Sequence, residues 1–568
     1  MAPALTSVPT VEIDGTPLSE SLASSLQEVI VDDHLQLPDT FELRFFDPQR
    51  TVVADANAKI GSAVRISAGG LDDPTPQLLL GGEVTAIEAE YDENGGTLVL
   101  RGYDLSHRLT RGRKTKAWQN AKYSDVAGEI ADAASLQRGT IDDSGAVVEH
   151  VSQANQSDWD FLWDLAREID FEVAVVDGKL DFRKPADADG APSGGDYDSS
   201  NPLQLVLGAR LLRFRPRVSG AGQATGFEAR GWSVFDKDAI VGTAPAGTTS
   251  VRSLPDDPAS LAGRFGDAKF VSVDAAPADQ RAADKLADRF KEHVGSTFAE
   301  ATGVARGDPR LKAGGAISVS TVGSTFEGSY TLTHTRHSFD LLNGYQTHLE
   351  VSGRQDRSLL GLASSGGGAS GPARISGVVI ALVDDVDDPK TLGRVRLRFP
   401  WMDDDYVSDW ARVSTLGGGK QRGAAWLPEH DDEVLVAFEH GDVRRPYVLG
   451  GLWNGLDAPP DYAVDQGKQK TRSLVSRTGH KVVLRDGDDS STVELTTSDG
   501  NLSLVLDETN KEIKISAAQT AKVTISAGGD LTISAQGQLT LQGQQGAELS
   551  SPASVKVKGS MLQLNPPG

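Results

Sequence analysis

Asp160, Asp164 and Glu168 stand four residues apart in "DFLWDLARE", a spacing that puts three carboxylates on one stripe of a helix. Carboxylates can serve as the general acid and the nucleophile or base of a glycosidase, but that chemistry needs a second carboxylate facing the first across a cleft. The stripe is therefore read as a solvent face opposite Trp159 and Trp163. His430 and His440 are ten residues apart with a strand-like run between them, unlike the i, i+4 helical pair of a zinc protease, so no metal site is assigned. "DDVDDPKTLG" (384–393) is rich in carboxylates but lacks the ligand order of a calcium loop, and reads as a solvated barrel loop. No G-x-S-x-G, Walker loop or dinucleotide fingerprint occurs in a suitable context. The residues assign no catalytic group and no cofactor.

The strongest basic cluster is "HRLTRGRKTK" (107–116), with Arg108, Arg111, Arg113, Lys114 and Lys116. The chain carries a net charge of −24 and the cluster has no interleaved aromatics, which argues against nucleic acid. The cluster reads as a solvated loop or as an electrostatic contact to an acidic neighbouring subunit or ring.

The elements around these residues are mainly strands. The chain has 568 residues, 61 of them glycine, and no cysteine, which excludes disulfides, thiolate metal sites and cysteine nucleophiles. The first fifteen residues lack a basic and apolar leader, and no run of 18 apolar residues occurs, so neither a signal peptide nor a membrane-spanning helix is expected. Export, if it happens, would then use another route. Residues 1–110 alternate with period two and predict a small β-barrel. Residues 111–200 predict an α/β insertion with helices over 124–134, N-capped by Ser124, and over 157–171, followed by a strand pair turning at Asp177-Gly178. Residues 201–360 predict a second β-barrel with one helix over 278–294. A Gly/Ser linker (361–372) leads to five short strands in 373–455, the pattern of a closed OB-type barrel, and a second linker covers 456–472.

From 473 to 568 the chain is a repeat that becomes regular as "KVTISAGG", "DLTISAQG", "QLTLQGQQ" from Lys522. Val523 and Ile525, Leu531 and Ile533, and Leu539 and Leu541 hold the second and fourth places. Leu549, Val555 and Val557 continue the register, which slips by one at Leu562 and Leu564. Eight residues are too few to circle a β-solenoid alone, since three short faces at about 3.3 Å per residue need about 18 or more. Three chains supplying eight each can close a turn. The repeat predicts a three-chain β-helix with the apolar pairs on a shared axis, serving as a trimerisation stalk or a mechanical needle.

"GYDLSHRLTRGRKTKAW" (102–118), "SDWDFLWDLAREIDFEVAVVDGKLDF" (157–182), "GDPRLKAGGAISV" (307–319), "HSFDLLNGYQTHLEV" (337–351) and "GAAWLPEHDDEVLVAFEHGDVRRPYVLGGLWN" (423–454) resemble, in this order, the VgrG-type spike proteins of contractile injection systems and related phage tail hub proteins. The resemblance implies a homotrimeric hub whose two barrels per chain mimic a six-fold inner tube, an OB collar and a β-helix needle. It implies as partners further copies of the chain, inner-tube and baseplate proteins, a PAAR-type tip protein and a cargo effector. It places tip docking at Leu562, Leu564, Asn565, Pro566, Pro567 and Gly568, and tube contact at the basic cluster. It also implies assembly in the cytoplasm and action in a released or injected phage tail-like particle. The gap of 17 residues at 456–472 is too short for an inserted lysozyme domain, and no toxin domain is expected after the octads. A non-enzymatic spike is expected, with a wall-degrading spike or a receptor-binding fibre as alternatives.

Overall fold

The computed structural model describes residues 8–564 apart from 94, 274, 276, 278, 356–373, 461 and 488–489. Asn565 to Gly568 and the predicted linker at 361–372 lie outside the described residues. The chain divides into two compact units, 1–452 and 453–568.

The first unit is built on one long antiparallel sheet. Eight of its strands matter below: β1 (Leu26–His34), β2 (Thr40–Phe46), β3 (Gln77–Asp92), β4 (Gly95–Asp104), β5 (Leu211–Val218), β6 (Ala299–Arg306), β7 (His334–Asp340) and β8 (Gly344–Val351). Their order is β5-β6-β8-β7-β1-β2-β4-β3, and Ala63–Ala68, Thr10–Ile13 and Thr16–Pro17 extend the sheet beyond the first half of β3. The β-rich block at 1–110 thus gives seven strands, and the block at 201–360 four, to a single sheet. Period-two alternation explains the pairing. Phe41, Leu43 and Phe45 point into a core with Val29, Val31, Leu98 and Leu100, while the residues between them face out. A second core, with Phe298, Ala301, Leu349 and Val351, lies under the other half.

The halves meet where β7 pairs with β1. His334 sits on this join. Burial alone would lower its pKa, but hydrogen bonds to Asp32 (3.0 Å) and interaction with Glu350 (3.7 Å) raise it to about 9. The folded imidazole holds its proton above the ordinary value of 6.5. Its contribution to stability is complete below about pH 6.5 and is lost as pH rises towards 9. The expected result is a urea midpoint that falls between pH 6.5 and pH 9, with a smaller fall in His334→Gln.

The α/β insertion packs α1 (Tyr123–Ala133) and α2 (Asp158–Ile169) around a core containing Trp118, Leu162, Phe171 and Phe182. Ser124 is not the N-cap of α1. Lys122 precedes the helix without a side-chain cap, and Ser124 is buried with its amide donating to Ser144 Oγ at 3.2 Å. The start of α2 follows its local sequence. Ser157 Oγ accepts from Asp160 N at 3.1 Å, Asp158 and Asp160 favour the positive helix end, and Asp170 ends the helix in the left-handed region at φ 58°. Asp177 (φ 49°) and Gly178 (φ 73°) form the two-residue turn between Glu172–Val176 and Lys179–Arg183. A further layer pairs Gly226–Ser233 with Asp238–Pro245 beneath α3 (Gln280–Gly295), where Ala283 and Ala287 are buried.

Five strands then close a barrel: β9 (Val378–Asp385), β10 (Arg394–Arg398), β11 (Ala411–Val413), β12 (Glu433–Phe438) and β13 (Pro446–Gly451), in the order β9-β10-β11-β13-β12. These are the five segments expected from the sequence. Ala381, Val383, Val395, Leu397, Val434 and Val436 fill the interior.

The second unit begins as a six-stranded antiparallel meander, from Ala463–Asp465 to Glu512–Ala517, each strand paired with the next. This differs from the expectation of a three-chain repeat from 473 onwards. Turn residues such as Gly467 (φ 76°) and Gly500 (φ 73°) let these longer segments fold back on themselves. From 518 to 564 no strand is assigned. An octad spends its eight residues on one short face and has none left for a return strand within the same chain.

Candidate functional site

The nine apolar positions of the repeat are all exposed on the single chain. The range runs from 47% at Val555 to 79% at Leu541, and Val523, Ile525, Leu531, Ile533, Leu539, Leu549 and Val557 fall between. Leu562 and Leu564 are also exposed. None belongs to a hydrophobic core of the chain. A regular series of large aliphatic side chains left in water has a chemical use only as a surface for other protein.

The basic cluster is mostly occupied within the chain. Arg108 binds Glu83, with Nε donating at 3.1 Å, and His107 Nε2 is 2.9 Å from the same carboxylate. Lys114 pairs with the buried Asp158 at 2.5 Å. Lys116 is 3.4 Å from Glu129 and 4.5 Å above the Trp118 ring. Arg113 donates to Asn155 O at 3.2 Å. Arg111 alone of the five has no hydrogen-bond or ion-pair partner among the described residues, and it is exposed. A large part of the predicted positive surface is therefore neutralised by neighbours that lie far away in sequence.

The carboxylate stripe of α2 departs from the expected solvent face. Asp160 is exposed, but Asp164 is buried and Glu168 is half-buried against the OB barrel. Arg444 binds Glu168 at 2.6 Å and Asp442 at 2.8 Å, and Tyr123 donates to Glu168 at 2.5 Å. Nearby, Ser152 Oγ and Tyr406 Oη lie 2.8 Å apart, and His150 Nε2 is 2.9 Å from Val407 O. The network joins the insertion to the barrel and has the form of a structural ion-pair cluster. Burial pushes Asp164 up to about 6, offset in part by Gln156 Nε2 at 2.6 Å and by Arg167. Between pH 3.8 and 6 the unfolded carboxyl ionises before the folded one, so this group lowers stability as pH rises. Asp164→Asn keeps the shape without the buried charge. The expected result is a gain of about 1–3 kcal/mol at pH 7.5 and none at pH 3.5, by urea unfolding.

A cleft of about 1640 Å³ lies beside this network, lined by Trp232, Phe235, Phe270 and Arg289 from the α3 layer and by Arg412 and Tyr447 from the barrel. Among the described residues, no group of three or more His, Asp or Glu could hold a metal ion. The loop at 384–393 is held by Asp388, whose carboxylate takes Arg394 Nη2 at 2.6 Å and the amides of Lys390 and Leu392, keeping its pKa well below the usual range. His430 Nδ1 lies 2.7 Å from Asp384 O, and His440 sits in the turn after β12 at φ 52°. Neither the acidic stripe nor the histidines converge on a reacting position.

Comparison with known proteins agrees with this architecture. Residues 379–453 match the type VI secretion system/phage-baseplate injector OB domain. The type VI secretion system spike protein VgrG5 of Pseudomonas aeruginosa is 40% identical over 86 residues, 14% of this chain and 10% of that protein. The spike protein VgrG3 of Vibrio cholerae is 35% identical over 85 residues, 14% of this chain and 8% of that protein. These matches span about a tenth of the length of the curated relatives. A chain of the half-lidded Francisella PdpA–VgrG complex shares the fold, with a TM-score of 0.53 at 10% identity over 90% of this chain and 88% of that one. The fold and the barrel define a spike protein of the VgrG type, related to phage-baseplate and tail proteins. The chain belongs to the family of the Alg8 N-terminal domain, whose model matches residues 8–340.

Proposed function

We propose that three copies of this chain form the central hub and spike of a contractile injection apparatus. The hub sheet adapts the inner tube to the OB collar, and the octads braid into a rigid needle that pierces the target envelope. The protein acts mechanically and not as an enzyme. Its partners are its own copies, tube and baseplate proteins, a PAAR-type tip protein at Leu562, Leu564 and 565–568, and a cargo effector. Arg111 is the basic residue best placed to meet the tube. Assembly takes place in the cytoplasm, and action in the released or injected particle.

The observation that carries this reading is the octad itself. Each unit exposes two aliphatic side chains and pairs with no strand among the described residues of its own chain. Burying each side chain is worth about 1.5–3 kcal/mol, and unpaired strands are not stable alone in water. A parallel trio answers both needs with one repeat. Light scattering of the purified protein should give a mass three times the 60.1 kDa chain. A stable folded monomer would refute the trimer. Release of peptidoglycan fragments by the purified protein would refute the non-enzymatic part.

A further inference from the structure

Arg281, Lys285 and Arg289 follow one another at four-residue spacing on α3, and all three line the cleft of about 1640 Å³. Arg412 lines it from the barrel side. These cations are poorly matched inside the chain. The side chains of Lys285, Arg289 and Arg412 have no hydrogen-bond or ion-pair partner among the described residues, and Arg281 is 3.9 Å from Asp279. The carboxylates of the cleft are mostly taken. Glu168 and Asp442 hold Arg444, Glu149 holds Lys390 at 2.9 Å, and Glu439 lies 3.7 Å from Arg445. Arg289 is half-buried. Burial first, and Arg167 next, push its guanidinium below its ordinary range, and Glu168, Asp164 and Asp170 offset this only in part. A guanidinium in that state gains from any carboxylate that reaches it.

Apolar surface lies alongside. Lys269–Ser272 is the edge strand of its sheet, paired in parallel with Gly226–Ala229 and with no strand on its outer side among the described residues. Phe270 and Val271 on this strand, Trp232 on the next and Phe235 in the turn after it are 39–57% exposed, and all four line the cleft. Val271 stands opposite Glu228, so it shares a sheet face with Trp232. Phe227 and Ala229 share the other face, packed on Ala287 of α3. Lys390 of the barrel loop sits 4.7 Å over the Phe235 ring, where the two walls meet. Within the wall, buried His150 donates from Nε2 to Val407 O at 2.9 Å, which leaves Nδ1 an acceptor without a partner among the described residues.

We propose that this cleft is a docking groove for an extended segment of another protein in which acidic residues alternate with apolar ones. Spacing selects that form. Cations four residues apart on a helix recur about every 6 Å, and side chains on one face of a strand recur about every 7 Å. A segment added beside Lys269–Ser272 puts its alternate carboxylates on the α3 face, where Arg281, Lys285 and Arg289 stand in turn. The side chains between them fall on the face of Val271 and Trp232. The edge strand offers main-chain pairing to the same segment, and Arg412 closes the groove from the barrel. A basic segment meets guanidinium groups that lack counter-charges and is refused. Neither the groove nor its charges depend on the trimer reading, so failure here leaves that reading untouched.

The test uses the full-length protein and a fluorescein-labelled peptide of about twelve residues, glutamate alternating with valine and tyrosine, followed by fluorescence anisotropy at low salt. Binding should saturate, and the same peptide with lysine for glutamate should not bind. Lys285→Glu with Arg412→Glu, both exposed and on opposite walls, should weaken binding about tenfold. Trp232→Ser with Val271→Ser should weaken it about fivefold. The proposal is overturned if the acidic peptide does not saturate, if the lysine peptide binds as well, or if both double variants bind like the parent, the cations then being a solvated helix face. A lower mass by light scattering for Lys285→Glu with Arg412→Glu would assign the groove to a second copy of the chain and overturn it too.

Discussion

Leu531→Asp with Ile533→Asp should abolish the proposed three-chain assembly of the octads. The pair forms one octad layer, and each residue is more than half exposed on the lone chain. Around a three-fold axis the double substitution replaces six aliphatic side chains by six carboxylates. The lost apolar transfer alone is about 1.5–3 kcal/mol per side chain, or about 9–18 kcal/mol for the layer. Like charges brought together in a poorly hydrated space add to this. The expected readout is loss of the resistant, slowly unfolding fraction in guanidinium and rapid proteolysis of 518–564, with the first unit still folded. Leu531→Ile with Ile533→Leu conserves volume and should change the midpoint little. Equal resistance of the Asp and the conservative variants would mean that these side chains do not meet on an axis.

Arg444→Ala should loosen the OB barrel from the insertion. Arg444 is the only cation bound to both Glu168 and Asp442 among the described ion pairs, at 2.6 and 2.8 Å. Burial disfavours its charge, but the two carboxylates raise its pKa well above the ordinary value, so it stays ionised. Removing it leaves Glu168 and Asp442 facing each other without a counter-charge. Breaking a buried pair in this way costs about 3–5 kcal/mol, and partial exposure here brings the expectation to about 2–4 kcal/mol. Urea unfolding should show a lower midpoint. Glu168→Gln added to Arg444→Ala should cost less than the sum of the two single changes, because the second substitution removes the charge that the first left unpaired. Strict additivity would show that the network does not act as a unit.

Much of the fold was legible locally. The barrel of 378–451 follows from five alternating segments separated by turn residues, because period two in so short a stretch leaves few ways to bury one face. The start of α2 and the Asp177-Gly178 turn were legible because capping and left-handed backbone depend on the residues in place. Ser124 misled because a serine before an apolar run is only one way to begin a helix, and here its hydroxyl was taken by Ser144. Asp164 and Glu168 misled for a different reason. A helical wheel shows which residues share a face, not what packs against it, and Arg444 arrives from 276 residues away. The basic cluster misled likewise, since Glu83, Asp158 and Glu129 are distributed over three elements that only folding brings together.

The octad spacing, the absence of cysteine, the alternation of the barrel strands and the caps of α2 were determined by the sequence alone, since each depends on neighbours within about ten residues. The joining of β7 to β1 in one sheet, the burial of Asp164 beside the Arg444 network, and the neutralisation of the basic cluster were decided by tertiary structure. The reason is geometric. A side chain's charge is a property of its residue, but whether that charge is spent inside the chain or left for another copy depends on which distant strands and loops come to lie beside it.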